Sequence, residues 1–169
     1  MLMLRRFVKD RKGAAAIEFA LLAIPFFAMT FAIIKGSFMY FVDAGLDGAL
    51  HRTARKVRVG SASANNWTLN TFKTAVCDEL GYSFGCSANL LVRATVITDM
   101  SSVSKVSGIS GGTLSVTEDF NIGGAGDYVL IQAFLPWTPI AQLYSYSSER
   151  LKDGSYVLGA AELFKNEPF

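Results

Sequence analysis

The sequence predicts an α+β fold: a long N-terminal helix, membrane-spanning at first and amphipathic later, packed on a small antiparallel β-sheet domain. Three observations lead there. Residues 13–34 are apolar apart from one carboxylate, Glu18. Beyond Lys35 the apolar residues continue at helical spacing. The C-terminal part holds three β-branched, partly alternating segments set between Ser- and Gly-rich stretches.

The first segment, residues 1–13, is a basic leader with Arg5, Arg6, Lys9, Arg11 and Lys12 against Asp10. The run at 13–34 comes next, and at a helical rise of about 1.5 Å per residue it reaches roughly 33 Å, enough to cross a hydrocarbon core of about 30 Å. It is too long for the apolar core of a cleavable secretory signal, and its run of alanines stands at the front rather than at a cleavage site. Cations crowded before a span favour an N-terminus held in the cytoplasm and export of the chain beyond the span. A second basic group, Arg52, Arg55, Lys56 and Arg58, lies farther from the membrane and does not reverse that bias. At 51% hydrophobic and 18% charged, the 169-residue chain is a membrane-attached protein with room for one modest exported domain. Its net charge of +2 gives no support to nucleic-acid binding.

Glu18 poses the chemical question. An ionised carboxylate deep in a bilayer helix costs on the order of 3 kcal/mol, and less near the membrane edge. It either snorkels to the headgroups or has a partner. The order basic patch, Gly13, Ala14, Ala15, Ala16, Ile17, Glu18, Phe19, apolar run resembles the class III signal of type IV pilin-like proteins. Within that group, RKGAAAIEFAL is similar to the opening of TadE-type minor pseudopilins of the tight-adherence (Flp/Tad) pilus system, and FKNEPF resembles the Asn-Glu-Pro ending of that family.

The resemblance implies a processing site at Gly13-Ala14, cut on the cytoplasmic side by a membrane prepilin peptidase that leaves Ala14 as the new terminus. It also implies subunit contacts through Glu18 and Phe19. The new α-amine and Glu18 lie about one helical turn apart, at the end of the helix where the macrodipole favours a carboxylate. In a bundle, Glu18 of one subunit would meet the terminal amine of a neighbour. The implied partners are the membrane, the prepilin peptidase, other pilins and the assembly machinery. The implied location is the bacterial inner membrane, with a periplasmic C-terminal domain or a place in the pilus. Two alternatives remain open: a sibling TadF- or TadG-type protein, and a single-pass anchored binding domain that never enters a filament.

Residues 35–60 extend the helix. Phe38, Phe41, Val42, Gly45, Leu46, Ala49, Leu50 and Thr53 lie on one stripe, and SASANN after Gly60 reads as a turn-rich break. Pro25 is expected to kink or loosen the membranous part. Residues 61–169 form the exported α+β domain. Thr68 is a candidate cap for a short helix containing Phe72, Val76, Glu79 and Leu80. Strands are expected in LLVRATVITD, YVLIQAFLPW and GSYVLGAAELF, with TLSVTEDF as a further one. Cys77 and Cys86, the only cysteines, fall on the expected exported side, where a disulfide is favoured over free thiols.

Catalysis has little support. GYSFG has the letters of a nucleophile elbow, but a helix precedes Ser83 and the one histidine, His51, lies in the amphipathic helix. Two thiols and His51 fall short of a zinc ligand set, so neither metal nor cofactor is expected. GISGG and NIGGAG lack a following Lys-Ser or Lys-Thr pair and read as flexible loop rather than a phosphate or small-molecule site. Asn66-Trp67-Thr68 has the form of a glycosylation acceptor. His51 and the cations after it read either as headgroup contacts or as a solvated helix face. Trp137 in PWTP reads equally as a partner contact or as core.

Overall fold

The computed structural model describes residues 13–81, 85–99, 108–137 and 151–169. The basic leader before Gly13, Ser83 of GYSFG and Pro139 of PWTP lie outside the described residues. The chain divides into two compact units, with the boundary between Tyr40 and Phe41.

Helix α1, Ala14–Arg58, belongs to both. In the first unit it is apolar apart from Glu18, Lys35 and a few small polar residues, and its large side chains, Phe19, Leu22, Ile24, Phe26 and Phe31 among them, are exposed. A helix of that kind belongs in an apolar surrounding rather than in water. It continues through Pro25 as one uninterrupted α-helix. Thr30 Oγ1 donates to the Phe26 carbonyl oxygen at 2.9 Å, and the Phe27 ring packs against those of Phe26 and Phe31.

In the second unit the same helix becomes one-sided. Val42, Leu46, Ala49, Leu50, Thr53, Ala54 and Val57 are buried, a three- and four-residue spacing that keeps one stripe inside. Phe38 and Phe41, placed on that stripe by the sequence, are 37% and 54% exposed; the core begins at Val42. The helix ends where Gly60 takes φ 77°, its N–H bonding the Val57 carbonyl at 2.9 Å. A Cβ at Gly60 would also overlap the Phe169 ring, so glycine is required there twice over. SASANN is not a plain break: it forms a single turn, α2, Ser61–Ala64. Thr68 caps α3, Leu69–Leu80, accepting from the Thr71 N–H at 3.3 Å.

After α4, Cys86–Asn89, the chain builds a four-stranded sheet in the order β4-β1-β5-β6. Its strands are β1, Leu91–Ile97; β4, Asp119–Phe120; β5, Tyr128–Trp137; and β6, Tyr156–Lys165. The three long strands pair antiparallel as expected, Leu91 opposite Phe134 and Tyr128 opposite Lys165. The sheet as a whole is mixed, which corrects the purely antiparallel expectation: β4 runs parallel to β1, pairing Arg93 with Asp119 and Ala94 with Phe120. A parallel neighbour needs a long crossover, and the stretch from residue 98 to 118 supplies it. Within that stretch β2, Ile109–Ser110, and β3, Thr113–Leu114, form a hairpin. Its turn is Gly111-Gly112, both at positive φ as a type I′ turn demands, so GISGG is a tight turn and not a flexible loop.

The core is the buried stripe of α1, with Phe72, Val76 and Leu80 of α3 and alternate residues of the long strands: Val92 and Ala94, Val129 to Leu135, and Leu158, Ala160 and Phe164. Each fully buried aliphatic or phenyl side chain contributes about 1.5 to 3 kcal/mol of transfer free energy. Trp137 belongs to this core at 6% exposure, which decides against a partner contact. NIGGAG is also ordered: Asn121 Oδ1 accepts from Gly123 N–H, Asp127 Oδ2 accepts from Gly124 N–H, and Asn166 Nδ2 donates to the carbonyls of Ile122 and Gly124.

Candidate functional site

The segment that carries the sequence motif opens α1. Gly13 immediately precedes the helix and Ala14 is its first residue. Both are exposed, and a Cβ at Gly13 would meet no atom of the described residues within 4 Å, so packing against them does not require glycine at that position. Glu18 stands one turn further on, exposed and without an ion pair to another described residue, and Phe19 beside it is 72% exposed. From Phe19 to Val42 the only charged residue is Lys35. By length and composition α1 meets the requirement for crossing a membrane.

The other residues singled out in the sequence lie in the second unit. Cys77, in the last turns of α3, and Cys86, which opens α4, form a disulfide with their Cα atoms 5.7 Å apart. Closing a short loop of this kind contributes about 2 to 3 kcal/mol by restricting the unfolded chain. GYSFG lies between these two helices, not between a strand and a helix as a nucleophile elbow requires. His51 Nδ1 is 3.0 Å from Glu162 Oε1 of β6, a structural pairing that ties α1 to the sheet's edge strand. Among the described residues no group of three or more His, Cys, Asp or Glu side chains could hold a metal ion.

Within the second basic group Arg52, Lys56 and Arg58 make ion pairs while staying about half exposed. Arg52 Nε donates to Glu79 Oε2 at 2.8 Å, Lys56 Nζ lies 3.6 Å from the same carboxylate and over the Trp67 ring, and Arg58 pairs with Glu167 at 3.0 Å. These contacts fasten α1 to α3 and to the C-terminus. In the glycosylation-like triplet Asn66 is exposed, Thr68 caps α3 and Trp67 meets the Phe72 ring edge-on.

The Asn-Glu-Pro ending has a structural role that sequence reasoning did not find. Asn166 is buried and holds the 121–127 loop through its side chain and through main-chain bonds with Asp127 and Gly126. Glu167 N–H donates to the Arg58 carbonyl at 2.9 Å, capping the end of α1. A resemblance in the last residues was visible; these partners, distant in sequence, were not.

Three carboxylates in this unit have shifted acidity, among them Asp153, which hydrogen bonds from the Ser155 hydroxyl and N–H hold below the usual range. The Arg52 hydrogen bond, reinforced by the charges of Arg52 and Lys56, holds Glu79 below the usual carboxylate range. Partial burial, then repulsion from Asp47, pushes Asp43 up. A depressed folded-state pKa gives stability that is present above the ordinary glutamate range and lost as pH falls through the lowered value. Asp43 acts oppositely, since its penalty when ionised is relieved on protonation. Arg52→Gln is therefore expected to lower thermal stability at neutral pH and to leave it little changed at a pH below the Glu79 transition, a narrowing gap that unfolding scans across acidic pH would read.

These features define a single-chain α+β domain continuous with an exposed apolar helix fit to anchor it in a membrane. Residues 13–55 match the family model described as TadE-like protein, a match that starts at the motif glycine and runs along α1. The match covers 43 of the chain's 169 residues. No curated protein and no solved structure matches the chain.

Proposed function

We propose that this chain is a TadE-type minor pseudopilin that helps to prime or assemble Flp/Tad pili for surface attachment. The observation that carries the reading is the coincidence at Gly13: the family match begins there, α1 begins one residue later, and among the described residues no packing contact requires glycine there. The protein is inserted with the N-terminus in the cytoplasm and the disulfide-bearing domain in the periplasm. A prepilin peptidase hydrolyses the Gly13-Ala14 bond, leaving the new carboxylate on Gly13 with the leader and the new α-amine on Ala14. Glu18 then pairs with the Ala14 amine of a neighbouring pilin, and Phe19 packs against the adjacent helix. Inside an apolar bundle an unpaired carboxylate is costly, so the pair favours helices in correct register.

Deleting the gene in the source cell is the direct test. Pili on the surface, counted by electron microscopy, should fall to near background and return when the full chain is supplied in trans. Undiminished piliation in the deletion strain would contradict the proposal.

A further inference from the structure

The apolar surface of α1 does not end where the predicted span ends. Phe38, Met39 and Tyr40 come after Lys35, and Tyr40 is 81% exposed, the largest exposure among the large apolar side chains described. Phe38 is 37% exposed. The next charged residue after Lys35 is Asp43. At a rise of about 1.5 Å per residue, residues 14–34 account for roughly 30 Å, the hydrocarbon thickness, and residues 35–40 add about 9 Å. That increment is comparable with the polar headgroup layer on one side of a bilayer whose full thickness is about 40 to 45 Å.

We propose that residues 35–40 form a second, chemically distinct membrane contact, an interfacial collar in which Tyr40 and Phe38 lie at headgroup level and Lys35 reaches lipid phosphate. The partner is a lipid surface. Tyrosine suits that layer because its ring is apolar while its hydroxyl stays hydrated, and a lysine near a span's end lays its stem along the helix and extends its ammonium to the phosphates. The collar fixes the depth of α1 and halts its outward or inward slide. It rests on the reading of α1 as a single-pass span.

The test uses the full chain in phosphatidylethanolamine/phosphatidylglycerol vesicles, with doxyl quenchers placed near the headgroup or near the acyl terminus. Tryptophan is introduced singly as Tyr40→Trp, Phe27→Trp or Arg55→Trp, and the emission of the native tryptophans is subtracted using the unsubstituted chain. Tyr40→Trp should be quenched about twofold more by the shallow than by the deep probe, as expected of an aromatic at the interface. Phe27→Trp should favour the deep probe, and Arg55→Trp should respond to neither. An unquenched Tyr40→Trp beside a deeply quenched Phe27→Trp overturns the collar and leaves the span standing. Deep quenching of Tyr40→Trp also overturns it. An unquenched Phe27→Trp removes the span itself, and the collar with it.

Discussion

Glu18→Ala is expected to reach the membrane in native amounts and to abolish most pilus assembly. Insertion depends on the apolar length of α1, and removing a charge from a span only makes insertion easier. Assembly depends on the proposed pairing with the Ala14 amine of a neighbour. Removing one partner of a buried ion pair leaves the other uncompensated, at about 3 to 5 kcal/mol, which corresponds to more than a hundredfold in affinity at each contact. Glu18→Gln keeps the shape without the charge and should fall between the two. Immunoblots of membrane fractions report insertion, and electron microscopy reports pili; full piliation by Glu18→Ala would remove the pairing from the mechanism.

Phe72→Ala should have the largest effect on stability, a loss of about 3 to 5 kcal/mol. Phe72 is fully buried, with ring centroids 6.5 Å from Trp67 and 5.4 Å from Phe120, so it joins α3 to the short parallel strand β4. Truncation leaves a cavity between elements held apart by the rest of the core. Phe72→Leu fills most of that volume and should lose no more than about 1.5 kcal/mol. Denaturant unfolding of the detergent-solubilised chain distinguishes them, and equal stability of the two variants would show that the site collapses around the smaller residue.

Much of this architecture was legible because the sequence signals it locally. The apolar length of α1, the spacing of Leu46, Ala49, Leu50 and Thr53, the Thr68 cap and the three long strands each depend on residues close together in the chain. What escaped is non-local. β4 is a two-residue strand whose parallel partner lies across a long connection, and no alternation of two residues can announce that. NIGGAG looked flexible because the residue that orders it, Asn166, sits far along the chain. The ion pairs of His51 and the basic group after it were not legible because their carboxylate partners, Glu162, Glu79 and Glu167, come from other elements. Phe38 and Phe41 fit the helical stripe by periodicity, yet periodicity does not say where along a helix the covering domain starts.

The motif at the start of α1 is the reverse case. Gly13 and Glu18 are conspicuous in sequence, and among the described residues no packing contact requires glycine at 13 and no ion pair engages Glu18. Their proposed roles lie in processing and in contacts between subunits, which one chain by itself does not display.

Proteolysis at the leader is the step on which the pilin role depends. Intact-mass spectrometry of the membrane-embedded chain, isolated from cells co-expressing the cognate prepilin peptidase, should show a polypeptide that begins at Ala14. A chain that keeps its basic leader under those conditions would contradict that role and leave a tethered domain in its place.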